Sequence, residues 1–212
     1  MDWDAIMFDC DGVILDSVET KTKAFEKSYL PYGTENMKKG VDYHLKNGGV
    51  SRFKKFNYFF DNILNKPISE TEIIQLGKQF SQYVFDEILK ADFIDGALET
   101  IQALNKFAIP LYVISGTPDE ELKDIFEKRN LSHYFNEIHG SPKQKYDIIS
   151  EIIMQHNYIN KRCLFIGDAM TDYNAAYESD IAFMGIVKDQ ARSPFPDKTI
   201  IYKRLSIENI MS

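Results

Sequence analysis

IMFDCDGVILDS, residues 6–17, opens as a buried strand and closes as something else. Ile6, Met7 and Phe8 form an unbroken apolar run, the pattern of a parallel strand covered on both faces. Asp9 and Asp11 then follow one residue apart, with Gly12 behind them. Side chains alternate along a strand, so Asp9 and Asp11 share one side while Cys10 points to the other. Gly12 lets the backbone turn sharply and approach a ligand closely.

The rest of the chain supplies the sheet that such a strand needs. Short apolar runs recur at 109–115 (IPLYVIS), 136–140 (NEIHG), 162–168 (RCLFIGD) and 181–187 (IAFMGIV), with a weaker one at 199–202 (TIIY). Between them Leu98, Ile101, Leu104 and Phe107 keep helical spacing, as do Leu122, Ile125 and Phe126, and then Ile148, Ile149, Ile152 and Ile153. Strands alternating with helices predict an α/β fold: a Rossmann-like three-layer core around a parallel sheet, formed by residues 1–16 and 89–212. Residues 17–88 lack comparable β-branched runs and read as an inserted α-helical subdomain. Its breaks fall at 30–33 (LPYG), 46–49 (KNGG) and 65–69 (NKPIS), with Ser69 as a helix N-cap.

Composition narrows the function classes. The 212 residues are 44% hydrophobic and 27% charged, enough for a full core. A formal charge of −7, from 25 basic against 32 acidic residues, argues against a nucleic-acid surface. No apolar run approaches the ~20 residues that span a bilayer, and MDWDAI has neither the basic nor the apolar part of a leader, so a cytoplasmic protein without a membrane partner is expected. Cys10 and Cys163 sit in strand-like runs and read as reduced core thiols; His44, His133, His139 and His156 show no metal-ligand spacing.

Three strands aim their ends at one place. The first ends in Asp9-Cys10-Asp11-Gly12, the second in Ser115-Gly116-Thr117, the fourth in Gly167-Asp168, with Asp172 just beyond. Carboxylates crowded there repel one another unless a cation intervenes, and an oxygen-only donor set favours Mg²⁺. With a phosphate held there, Asp9 can serve as a carboxylate nucleophile and Asp11 as acid and base. Ser115 and the Gly116 N–H are candidate phosphate ligands, and a lysine from GSPKQK, Lys145 in preference to Lys143, would neutralise the phosphoryl group.

These pieces, in this order, resemble the haloacid dehalogenase superfamily: DCDGV its first motif, ISGT its second, a lysine of GSPKQK its third, GDAMTD its fourth. The resemblance implies an aspartyl-phosphate on Asp9, Asp11 as acid/base, and Mg²⁺ held by Asp9, the main-chain carbonyl of Asp11 and Asp168, with Asp172 in support. It also implies that the insertion is a C1-type cap, as in the phosphoglycolate phosphatase-like subfamily. Proline precedes both candidate lysines here, where many relatives have a Lys-Pro pair. Asp11 counts against dehalogenation, because the superfamily's dehalogenases lack that second aspartate.

Inside the insertion, NGGVSRFKKFNYFF (47–60) resembles a cap substrate loop. Gly48 and Gly49 form its turn and Ser51 is placed to cap a helix; Arg52, with Lys55 one turn on, would meet an anionic group of the substrate beyond the phosphate, such as a carboxylate. The expected activity is a Mg²⁺-dependent phosphomonoesterase acting on a small phosphorylated metabolite as a monomer or homodimer. The alternatives are a sugar-phosphate mutase using the same aspartate and a non-catalytic, receiver-like phosphoacceptor.

Overall fold

β1 (Ala5–Phe8) lies near the middle of a six-stranded parallel sheet of order β3-β2-β1-β4-β5-β6. Its partners are β2 (Leu111–Pro118) and β4 (Cys163–Gly167), with Phe8 opposite Val113 on one side and Ile166 on the other. β3 (Glu137–Ser141) closes one edge, and β5 (Ala182–Ile186) and β6 (Ile201–Tyr202) extend the other. The computed structural model describes residues 2–211.

Alternation along β1 decides what each face of the sheet buries. Ile6, Phe8 and Cys10 enter one apolar core, while Ala5 and Met7 enter the second with Tyr112, Ile114 and Phe165. Both cores are closed by helices: α5 (Ala97–Lys106) and α6 (Asp119–Lys128) contribute Ile101, Leu104, Ile125 and Phe126 to the first. α7 (Lys145–His156) and α8 (Met170–Glu178) contribute Ile148, Ile149 and Ala176 to the second. From β1 the chain winds through β2 and β3 to one side, then crosses to β4, β5 and β6 on the other. That reversal leaves a crevice at the carboxyl ends of β1 and β4, the place where open α/β sheets bind ligands.

The insertion after β1 is helical. It comprises α1 (Val18–Tyr29), α2 (Thr34–Lys46), α3 (Arg52–Tyr58) with a π-helical continuation (Phe59–Ile63), and α4 (Glu70–Lys90). Aromatic rings hold it together: Phe25 meets Phe80 at 4.6 Å and Tyr29 stacks on Phe59 at 3.9 Å between centroids. Ser69 caps α4 in a reciprocal pair with Glu72. Ser51 stands at the N-cap position of α3, but its side chain makes no capping hydrogen bond. Among the described residues no helix is long and apolar enough to cross a membrane.

Candidate active site

The loops after β1 and β4 and the first turns of α7 and α8 bring four charged groups together. Carboxylate oxygens of Asp9, Asp168 and Asp172 lie within 4.8 Å of one another. Lys145, the first residue of α7, places its Nζ 3.0 Å from Asp9 Oδ1 and 2.5 Å from Asp172 Oδ1. Asp172 is fully committed: its Oδ2 accepts from the N–H groups of Asp168 (3.2 Å) and Ala169 (3.0 Å), which pins the turn before α8. Asp172 thus fixes Lys145 and the Asp168 backbone together. Lys143, the other candidate, points to the surface and pairs with Glu151.

Burial pushes the Asp9 carboxyl up to about 7, with Lys145 opposing and Asp172 and Asp11 adding. Burial and then the charges of Asp9 and Asp172 hold Asp168 well above the carboxylate range. Lys145 moves the other way: burial opposes its charge, but Asp172 and Asp9 outweigh it and keep the amine above the ordinary lysine range. Asp9 Oδ1 is buried and, beyond its ion pair with Lys145, has no hydrogen-bond partner among the described residues. Excess negative charge, an orphaned carboxylate oxygen and an all-oxygen donor set fit a hard divalent cation such as Mg²⁺. Gly12 closes the site from below at φ +78°, and any side chain there would run into the Asp168 carboxylate.

Asp11 sits apart from this cluster in a hydrogen-bonded cradle. Ser17 Oγ donates to its Oδ1 at 2.5 Å, and Lys21, from α1, pairs with its Oδ2. Thr117 Oγ1 lies 3.3 Å from Oδ2 and takes a hydrogen bond from Lys21 at 2.7 Å. Burial disfavours the charge on Asp11, yet Lys21 and Ser17 prevail and hold the carboxyl below its ordinary range. Two carboxylates two residues apart are therefore poised oppositely. Ser115 is buried on β2, where its Oγ accepts from the Thr117 N–H at 3.2 Å.

The insertion covers the site. Thr171 Oγ1 donates to the Gly48 carbonyl at 2.9 Å, and the Gly49 carbonyl lies so near Gly116 that a side chain at 116 would strike it. Beneath that loop is a cavity of about 80 Å³, bounded by Asp9, Asp11, Lys21, Lys55, Phe25 and Phe80 among others. Arg52 also borders it, but the expected free guanidinium is absent: its two terminal nitrogens grip Glu121 of α6 at 3.1 and 2.5 Å, and one reaches Ser81 at 2.8 Å. Both Arg52 and Lys55 are buried.

A family model described as haloacid dehalogenase-like hydrolase matches residues 6–186, which includes every residue of this cluster. The chain belongs to that family. Among similar proteins of this haloacid dehalogenase-like hydrolase is the phosphoglycolate phosphatase of Photobacterium profundum, 23% identical over 198 residues, 85% of this chain and 82% of the relative. That of Aliivibrio fischeri is 23% identical over 181 residues, 81% of this chain and 78% of the relative. Among solved structures, β-phosphoglucomutase of Clostridium difficile superposes with a TM-score of 0.79 at 20% identity, over 99% of this chain and 96% of that one. A predicted phosphoglycolate phosphatase of Haemophilus somnus gives 0.73 at 20% identity, over 100% and 97%. At such identities the structural likeness is one of fold.

Sequence reasoning missed Lys21 and Glu121 in this hydrolase's site, placed Thr117 at the strand end without a role, and gave His44 none. Lys21 alone carried a signal: it lies one turn into the helix that follows the first motif, on the side of Ser17.

Proposed function

We propose that this hydrolase is a Mg²⁺-dependent phosphomonoesterase that works through an aspartyl-phosphate on Asp9. The observation that carries the reading is the opposite poise of Asp9 and Asp11 in one crevice: one carboxylate stands with Asp168 and Lys145, the other in a cradle of its own. When bound, the cation held by Asp9, Asp168 and the Asp11 main-chain carbonyl supplies charge neutralisation for the phosphoryl oxygens and keeps Asp9 ionised.

Asp9 attacks phosphorus and the ester oxygen departs, taking its proton from Asp11. Lys145 steadies the negative charge on the transferring group, as do the Ser115 hydroxyl and the Gly116 N–H. Asp11 then removes a proton from the water that hydrolyses the phosphoenzyme. As it stands Asp11 is ionised, the form this second step needs. For the first step it must gain a proton, and an arriving phosphate dianion favours that by raising nearby carboxyl pKa values.

The covered, roughly 80 Å³ cavity suits a small leaving group. Together with the named activity of the curated relatives, it supports a short phosphorylated hydroxy acid of the phosphoglycolate type as substrate. Phosphate release from a panel of phosphorylated metabolites, with and without Mg²⁺ and with Asp9→Asn alongside, tests the reading. Metal-dependent release that disappears in the variant is expected. Phosphoryl transfer to a sugar hydroxyl would indicate a mutase, and a long-lived phosphoaspartate a receiver.

A further inference from the structure

Lys55 is a buried cation with no anionic partner. It is 3% exposed, borders the substrate cavity, and its one hydrogen bond is to His44 Nδ1 at 2.9 Å. Among the described residues no carboxylate lies within ion-pair distance of it, whereas Lys21 and Arg52, which border the same cavity, are matched to Asp11 and Glu121. A lysine left in this state needs a reason, because burying an unpaired ammonium is costly.

The bond to His44 belongs to a directed chain. His44 Nε2 lies 3.0 Å from Thr22 Oγ1, which itself donates to the Val18 carbonyl at 2.9 Å. The Thr22 proton is thus used, so Nε2 must carry hydrogen and donate, leaving Nδ1 as the acceptor that receives Lys55. The ring is held flat against Phe25, 4.4 Å between centroids. His44 is thereby fixed in one tautomer and one orientation, and it occupies only one of three ammonium protons.

Resting on the phosphatase reading, we infer that Lys55 is the residue that selects substrate, by binding a carboxylate attached to the phosphorylated carbon skeleton, and that His44 is its positioning residue. Arg52, gripped by Glu121, joins the cap to the core instead. A carboxylate fits better than a second phosphoryl group: one ammonium offers one charge and two free N–H donors, the space is small, and Phe25 and Phe80 line much of it. Burial, with Lys21 adding and Asp11 opposing, brings the Lys55 amine down to about 7, a state that an incoming anion would reverse.

The test compares carboxymethyl phosphate with carbamoylmethyl phosphate, its uncharged isostere. Wild type should favour the carboxylate, and Lys55→Met should lower the carboxylate-to-amide ratio in kcat/KM by roughly 30-fold, chiefly through KM. His44→Leu should lower the same ratio, and His44→Asn, whose amide oxygen can accept the Lys55 proton, should recover part of it. A ratio unmoved in Lys55→Met overturns the inference. If wild type hydrolyses neither ester, calorimetry on Asp9→Asn decides the role of Lys55 separately, and the phosphatase reading fails only where no other phosphomonoester of the panel is hydrolysed. There, a carboxylate preference in binding that Lys55→Met abolishes sustains the role; equal binding of the two esters, or binding of neither, overturns it.

Discussion

Asp9 and Asp11 are the same residue type two positions apart, and their surroundings alone shift their carboxyls in opposite directions. Against its burial, Asp11 owes its ionised state to Lys21 and Ser17, so Asp11→Asn should lower kcat by about 10²- to 10⁴-fold, the usual contribution of acid–base catalysis, with far less effect on KM in steady-state assays. Lys55 makes a second prediction, on stability. Its folded pKa is about 7, while an unfolded lysine titrates near ~10.4. Below about 7 both states hold the proton and the folded chain bears the full cost of burying it. As pH rises from there towards ~10.4 the unfolded chain alone keeps the proton, so folding stability grows with pH. Lys55→Met should therefore raise the melting temperature most at pH 6, and the gain should fade by pH 10. A gain independent of pH would mean that the amine is not perturbed.

At the scale of elements, β1, β2, β4 and β5 were legible because each holds a short apolar run bounded by turn residues, and the motif residues of β1, β2 and β4 sit at their ends. Of the two candidate lysines, Lys145 opens α7 and meets Asp9, whereas Lys143 precedes the helix and faces solvent, which supports the preference for Lys145 that its position suggested. The role of Arg52 was not legible. Its partner Glu121 lies 69 residues away on another helix, and the periodicity of α3 carries no information about what a distant helix presents to it. Arg52 and Glu121 now join the insertion to the core through a buried ion pair, with side chains 4% and 9% exposed. Glu121→Leu would leave the guanidinium buried without a counter-charge and should cost about 3–5 kcal/mol in urea unfolding. Hydrogen exchange should also accelerate across residues 47–52, since the same pair holds α3 near α6. Unchanged exchange there would show that the Gly48–Thr171 contact alone keeps the loop down.

For the whole molecule, the reversal of winding beside β1 explains why a parallel sheet concentrates negative charge at one point, and the divalent cation we propose there would offset it. Asp9 titrates near 7 in the folded chain against ~3.9 unfolded. Between those values the folded chain binds more protons, so stability without metal should fall as pH rises, and remain low above about 7. Added Mg²⁺ should thus raise the melting temperature more at pH 8 than at pH 5; at 100-fold excess over its dissociation constant the stabilisation is ~2.7 kcal/mol. An equal shift at both pH values would separate the cation from these carboxylates. Passage of phosphorus through Asp9 is read by borohydride trapping during turnover with carboxymethyl phosphate and Mg²⁺, followed by peptide mapping. Reduction of an acyl phosphate would convert Asp9, and no other aspartate, to homoserine. Turnover that leaves Asp9 intact, or that marks Asp168 instead, would contradict the account.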